Sequence, residues 1–520
     1  MTPVSAPDLE ERDVERLLVR GGPAAKVAKV VEKLTATTMG TVVLGGRRLR
    51  PLLIITALTA AGYVLWSPAA LHFDTAYALV WGRQILNGDL PKYAAIGAPT
   101  PHPLLTAVSV LLAVTGGRAY TVFSLLGCLS WALLLYGMVR LGEALGSLVA
   151  GVGAATLLAL SGPFAVLGST AEKDLPYVAL LVGATTLEVR TPRRGVPVLI
   201  VLALAGLIRP EAWLLSAVYW LYLARHVSPP RRLATLGVVV APLIIWLLAD
   251  IAVTGDPAFS FTPTREAGEA LARPTGLPGD DYVLGRQLPD VVTWPVLLGG
   301  TAAIAWVAWR QKLALLVPSV VALLAGLAFM LQGLAGLPVN DRLVTPLAAM
   351  LTLLFSIAVV TWLKDWRAPG GRPWAALGGI CVIATIAALP GQERRLASLR
   401  HSTLVAGRAY EDLRAFMGSS PGARLRSCPR TALEPFAVNA DAQLPTFCTR
   451  CIRGLLTGSP SRARDAKAFY SSVRRANSQG TTRPTTRSLM VLRALADSGL
   501  WAATPPGLAG LAAVRTRLAL

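Results

Sequence analysis

Four short polar clusters in this chain carry residue types that can do chemistry. Asp74 follows the first long apolar run. Glu172-Lys173-Asp174, Arg209-Pro210-Glu211 and Asn340-Asp341-Arg342 stand at the ends of later runs. Ionisable side chains beside hydrocarbon are costly unless they are paired or used. A carboxylate can take the proton of an attacking hydroxyl, and a guanidinium can hold a phosphate through paired hydrogen bonds. Acids and arginines at the edge of an apolar bundle therefore suit a lipid-linked anionic substrate. The spans hold its chain, an arginine its phosphate, and a carboxylate moves the proton.

Each cluster also has a structural reading. Asp74 fits a helix N-cap. Glu172 and Asp174 fit a solvated turn ahead of Pro176. Arg209 and Glu211 fit an ion pair across a helical break, and Asn340-Asp341-Arg342 an interfacial anchor. His72 and His102 read as polar loop residues, and Trp66 and Trp81 as interfacial aromatics.

The elements that must position these groups follow from hydropathy. The 520 residues are 53% hydrophobic and only 15% charged, with mean hydropathy +0.54. Apolar runs recur from Pro51 to Pro390, each near the length needed to cross about 30 Å of hydrocarbon. The net charge of +21 sits mostly at span ends, so it reports membrane topology and not nucleic-acid binding. The excess of Arg over Lys, with abundant Ala, Gly and Val, reads as a GC-rich bacterial genome. A charged tail precedes the first run, so no cleavable signal peptide is expected.

The positive-inside pattern gives an order to the chain. Residues 1–50 form a cytoplasmic tail with an amphipathic stretch over Pro23–Thr38. Residues 51–390 form the membrane domain, and residues 71–118 are its first outer loop. In that loop Thr75–Leu86 reads as a surface helix capped by Asp74 and stopped at Asn87-Gly88. The apolar run after His102 is short and bounded by Pro and Gly. Counting it as a span inverts the charge bias, so it is expected not to cross. The remaining spans are expected near 119–140, 146–168, 175–189, 195–208, 211–225, 233–253, 291–309, 313–336, 343–363 and 374–390. With the first, they make about eleven transmembrane helices, with the N-terminus in the cytoplasm.

Residues 391–520 change character and are expected to form a small extracytoplasmic α/β or α+β domain, opening with a helix near Glu393–Met417. The expected fold class is thus an all-α polytopic membrane protein with a small mixed domain at its C-terminal end. Cys128 and Cys381 lie in spans and read as small core residues. Cys428, Cys448 and Cys451 lie in the tail, where disulfides persist. Redox or zinc chemistry at the Cys-Thr-Arg-Cys spacing stays open, although no histidine lies nearby to complete a zinc site.

An acid just after the first span, a Pro-rich return (Pro99-Thr100-Pro101-His102-Pro103-Leu104) and a second acidic loop after the third span together resemble the GT-C superfamily. These are membrane glycosyltransferases that use polyprenyl-phosphate sugars, protein mannosyltransferases and actinobacterial envelope arabinosyl- and mannosyltransferases among them. The resemblance covers roughly residues 50–365, and its motifs are short, so their order and sidedness carry it. Many relatives have paired acids in the first loop, whereas Asp74 here stands between Phe73 and Thr75.

The resemblance implies inverting transfer from a polyprenyl-phosphate sugar to an envelope glycan, lipid or protein on the outer face of the cytoplasmic membrane. It implies Asp74 as general base and Arg342, then Arg209, as partners of the leaving phosphate. Glu172, Asp174, Glu211 and His102 would orient sugar or acceptor. Neither metal nor cofactor is expected, because relatives that use monosaccharide-phosphate lipids generally need none. The competing class is a transporter or flippase of a lipid-linked or anionic substrate. Transporters usually show repeat symmetry and mid-span ionisable residues; no repeat is evident here, and the acids sit at loop edges.

The tail generates the first prediction. Cys428 is expected to pair with Cys448 or Cys451, closing a loop of about 20 residues and stabilising it by about 3 kcal/mol. Mass mapping without reductant should find that linked peptide. Three free thiols in protein from an oxidising compartment would rule the bridge out.

Overall fold

The computed structural model describes residues 49–93, 98–262, 264–265, 274–368 and 370–418. The N-terminal tail up to residue 48, with its amphipathic stretch, lies outside the described residues. So do the residues after 418, including Cys428, Cys448, Cys451 and the expected C-terminal domain.

Among the described residues the regular structure is helical throughout, and the helices below are numbered in chain order. The chain opens with α1 (Leu49–Trp66), α2 (Phe73–Leu86), α3 (Pro103–Ala113) and α4 (Ala119–Ala144). It continues with α5 (Leu148–Leu160), α6 (Gly162–Ser169), α7 (Asp174–Arg190), α8 (Val196–Ile208), α9 (Glu211–Ala224) and α10 (Pro229–Thr254). After α10 come α11 (Gly276–Tyr282), α12 (Leu288–Val292), α13 (Trp294–Trp309), α14 (Leu316–Leu334), α15 (Thr345–Lys364) and α16 (Arg372–Gly418). Among the described residues six helices are long and apolar enough to cross a membrane, or up to eight if each bent pair counts as one span. This is the architecture of an all-α polytopic membrane protein, with fewer full-length candidate spans than the eleven expected.

One of the expected spans is broken, and another is met by a sharply bent segment. The run expected at 146–168 is α5 plus α6, bent by 72° at Ser161. Gly162-Pro163 follows the bend, and proline is tolerated in the first turn of a helix where it cannot continue one. The span expected at 291–309 is α13, preceded by a helical segment from Gly276 to Val292 that meets it at 106°. Helix α16 runs unbroken through Pro390, where the last expected span ends.

The centre of the fold is α15. Its sequence, Thr345-Pro-Leu-Ala-Ala-Met-Leu-Thr-Leu-Leu-Phe-Ser-Ile-Ala-Val-Val-Thr-Trp, is apolar on every face, which marks a helix surrounded by protein. It is 83% buried over its most apolar window and packs against α5, α7, α13, α14 and α16. Between apolar helices in lipid, close approach is what gains packing, and small residues permit it. At Gly142 and Gly151 the helices α4 and α5 come so near that a Cβ on Gly142 would strike the Gly151 backbone.

The first loop differs from a helix lying on a membrane surface. Helix α2 starts two residues earlier than expected, and its N-cap is His72, whose side chain accepts from the Asp74 amide. Asp74 is therefore a first-turn residue and not the cap. Tyr77, Ala78, Leu79 and Trp81 are buried. Trp81 meets Tyr77 and Tyr93 ring to ring, so it belongs to a protein core and not to a lipid-facing belt. Gly82 allows α3 to pack on α2; a Cβ there would lie 2.5 Å from the Ser109 carbonyl.

Helix α3 has 11 residues, about 16 Å at the helical rise, roughly half of the hydrocarbon thickness. Cysteines replacing Lys92 and Arg118 should therefore both label from the outside. Labelling of position 118 only from the cytoplasmic side would overturn this arrangement of the first loop.

Candidate active site

The turn before α7 sets the site. Helix α6 ends in a Schellman motif: the Glu172 amide donates to the Leu167 carbonyl at 2.8 Å and the Ala171 amide to Gly168 at 3.2 Å. The left-handed position usually taken by glycine is held by Ala171, at φ 55°, a conformation that costs an L-residue about 1–2 kcal/mol. Gly127 lets this turn press onto α4, since a Cβ there would collide with Gly168 and Ala171. Helix α2 is tied to the same turn. The His72 amide donates to Thr170 at 2.7 Å, and the Thr75 hydroxyl donates to Ala171 at 2.7 Å.

Three further features complete the placement. Asp174 is the first residue of α7. Arg209 is the extended residue between α8 and α9, with Glu211 opening α9. Arg342 lies in a 3-10 turn, Asp341–Val344, whose start is capped by the Asn340 side chain accepting from the Arg342 amide. That turn leads directly into α15, so the most buried helix delivers the arginine.

These four segments, remote in sequence, converge on one network. Lys173 pairs with Asp74 and lies 3.4 Å from Glu172. Arg342 meets Glu172 at 3.0 Å and lies 3.9 Å from Asp174. Arg209 joins Asp174 and donates to Glu211 at 2.8 Å. His72 joins Glu172 through Nδ1, while its Nε2 lies 3.1 Å from the Arg342 guanidinium. The side chain of Glu172 is 0% exposed and that of Asp174 1%. Carboxylates at such depth persist only because cations enclose them.

Burial alone would raise the Asp74 carboxyl, but the Lys173 ammonium, with His72 and Arg342 behind it, outweighs burial and holds it well below the usual range. Burial works in the same sense on Glu172, and His72, Arg342 and Lys173 overcome it. Arg209 is held more firmly protonated than usual: burial opposes its charge, and Asp174 and Glu211 more than compensate. His102, which caps α3 beside Trp246, is pushed well below the usual imidazole value by burial, with Lys173 adding to the effect.

All of the sequence-derived candidates Asp74, Glu172, Asp174, Arg209, Glu211 and Arg342 thus stand in one cluster, with His102 within its electrostatic reach. Two members went unassigned in the sequence. Lys173 was passed over between two acids, and His72 was read as a loop residue. The signals were its adjacency to Asp74 and a histidine count of only four. His72, Asp74 and Glu172 also present ligand atoms within 4.8 Å of one another, a donor set that a divalent cation would accept. The side chains of Lys173 and Arg342 already reach the same oxygens.

Comparisons with known proteins were made in sequence and in structure. No protein-family model matches the chain, and no curated protein matches it in sequence. Among solved structures it is similar to ArnT from Cupriavidus metallidurans bound to undecaprenyl phosphate. Identity is 15%, covering 72% of this chain and 73% of that one, with a TM-score of 0.43. It is also similar to the Archaeoglobus fulgidus oligosaccharyltransferase, in its apo form (10% identity, TM-score 0.42) and tethered to an acceptor peptide (13% identity, TM-score 0.41). The match covers 81% and 68% of this chain but only 60% and 55% of the oligosaccharyltransferase. At such scores the likeness carries no weight on activity, which is argued below from the residues.

The buried pairing generates a stability prediction. Arg209→Leu leaves Glu211 without its cation and Asp174 with only Arg342 at 3.9 Å, and should cost about 3–5 kcal/mol in unfolding experiments. Adding Asp174→Asn should recover part of that loss. Strictly additive losses would show that the two side chains do not interact.

Proposed function

We propose that this chain is a membrane glycosyltransferase of GT-C type. It transfers a sugar from a polyprenyl-phosphate donor to an acceptor glycan, lipid or protein on the outer face of the cytoplasmic membrane, with its N-terminus inside and its C-terminal domain outside. The observation that carries the reading is the convergence of four loop-edge segments into one buried cluster of carboxylates, Lys173, Arg209 and Arg342 among apolar helices. Ionisable groups at the end of a membrane bundle are expensive and are retained where they serve substrate chemistry.

The chemistry is a single inverting displacement. An acceptor hydroxyl attacks the anomeric carbon, the bond from that carbon to the phosphate oxygen breaks, and polyprenyl phosphate departs with the bonding pair. Asp74 takes the hydroxyl proton. The departing phosphate is stabilised by a fixed cation. Arg342, with 25% of its side chain exposed against 10% for Arg209, is the more accessible partner. Glu172 and Asp174 hold that guanidinium in place, and Glu172, Asp174, Glu211 and His102 orient the sugar or acceptor.

The Lys173 clamp on Asp74 bears on this assignment. A carboxylate held so far below its usual range is a weak base. An arriving phosphate competes for the same ammonium, and its binding loosens the clamp as the donor enters. Base strength and donor occupancy are then coupled.

The test is a pair of variants in one transfer assay with radiolabelled polyprenyl-phosphate sugars. Asp74→Asn should lose roughly 100-fold or more in turnover while keeping donor binding. Arg342→Ala should weaken donor binding as well. Near-wild-type turnover by folded Asp74→Asn protein would remove Asp74 as the base.

A further inference from the structure

A cavity of about 90 Å³ lies beside the charged cluster, between α1, α4 and the far part of α16. Roughly 10–15 Å³ of such space accommodates one water, so it has room for about six to nine, the bulk of one sugar ring. Its walls include Tyr63, Trp66 and Tyr120, together with Tyr410, whose ring stacks on that of Tyr120 at 4.5 Å and 11°. Ser169 and Glu411 add polar atoms.

The lining leans toward acceptors, while Tyr63, Ser67 and Thr121 add hydroxyls that can donate or accept. The Ser169 hydroxyl donates to the Val166 carbonyl at 3.0 Å, and the Ser124 hydroxyl donates to Tyr120 at 3.2 Å. Each hydroxyl has spent its proton and presents an acceptor oxygen. Glu411 adds a carboxylate, which only accepts. Neither lysine nor arginine lines the space, so a phosphate or an anionic headgroup would enter without a counter-charge. Flat aromatic walls with acceptors between them fit a neutral ring that carries several hydroxyl donors.

The cavity is joined to the candidate active site through the backbone. The Leu71 amide donates to the Tyr120 hydroxyl at 2.7 Å, and that hydroxyl donates to Ala69 at 3.1 Å. His72 follows directly, and its amide is bonded to Thr170, next to Ser169. The strand of chain that lines the cavity therefore also carries the first member of the charged network.

We infer that this cavity binds one neutral, hydroxyl-bearing sugar ring, an anchoring unit of the acceptor glycan distinct from the unit that reacts. Its naming as acceptor rests on the glycosyl-transfer reading; the preference for a neutral polyol does not.

The test uses the full-length protein in nanodiscs and neutral methyl glycosides as probes, with saturation-transfer NMR as readout and inorganic phosphate as the anionic control. Glycosides should give a titratable signal that phosphate does not compete away. Tyr410→Ala should weaken binding tenfold or more. Thr121→Phe fills the mouth from an exposed position without removing a core contact, and it should do the same. Arg342→Ala should leave the signal unchanged.

No glycoside signal from folded wild-type protein, or undiminished binding in either cavity variant, would overturn the assignment. Loss of the signal in Arg342→Ala would overturn it too, by moving the ring into the charged cluster. Glycoside binding in the cavity without any transfer activity would instead sink the transferase reading alone. Intact transfer without glycoside binding would sink only the cavity.

Discussion

The constraint on which the rest of the structure depends is the pairing of Glu172 and Asp174 inside an apolar bundle. A lone buried carboxylate loses several kcal/mol of hydration, and only close cations with good hydrogen-bond geometry return it. Glu172 has three such neighbours in Lys173, Arg342 and His72. Asp174 has Arg209, with Arg342 at 3.9 Å. The partners come from the first loop, the connection between α8 and α9, and the entry to α15. Satisfying the two acids therefore fixes three distant backbone segments at once. Removing any partner leaves charge uncompensated, which is why the segments cannot drift independently.

The scaffold meets this demand through close packing. Helix α15 can be surrounded because none of its faces is polar, and Arg342 precedes it by only three residues. Gly127 and Gly142 let α4 approach the turn after α6 and helix α5, respectively. Ala171 accepts a left-handed conformation where glycine would be free of strain. That strain sits one residue from Glu172, in a turn held by hydrogen bonds from α2 and from α6 itself. Local backbone cost is thus borne next to the most buried charge, as happens where geometry is imposed by a site.

The cluster was legible in the sequence because ionisable residues at the ends of apolar runs are few and must find partners. Asp74, Glu172, Asp174, Arg209, Glu211 and Arg342 could be named from that rule alone. Lys173 was less legible, because neighbouring opposite charges in sequence look like a solvated turn. Only the fold turns that side chain toward Asp74, 99 positions away. Helix breaks were partly legible. Gly162-Pro163 announces the bend after α5, but apolarity on both sides conceals it from a hydropathy count. Pro390 misled in the other direction, since a proline signals a stop in sequence while α16 continues through it. Hydropathy reports where hydrocarbon could be, and helices obey hydrogen bonding beyond that limit.

The charge inventory of the site constrains any anionic ligand. Asp74, Glu172, Asp174 and Glu211 face Lys173, Arg209 and Arg342, with His72 between them. No cation among these three is without a carboxylate partner. A phosphate therefore cannot simply occupy a vacant positive pocket; it must displace an acid from a cation or share that cation. The Asp74 carboxylate, with 12% of its side chain exposed, is more open than those of Glu172 and Asp174, at 0% and 1%. Releasing Asp74 costs less than releasing either of those two, because water can reach the freed carboxylate. An anion that took Lys173 from Asp74 would raise the basicity of Asp74 and leave Glu172 and Asp174 still paired to hold Arg342 and Arg209. On the proposed reading, a resting network in balance would free its base only once the donor has entered.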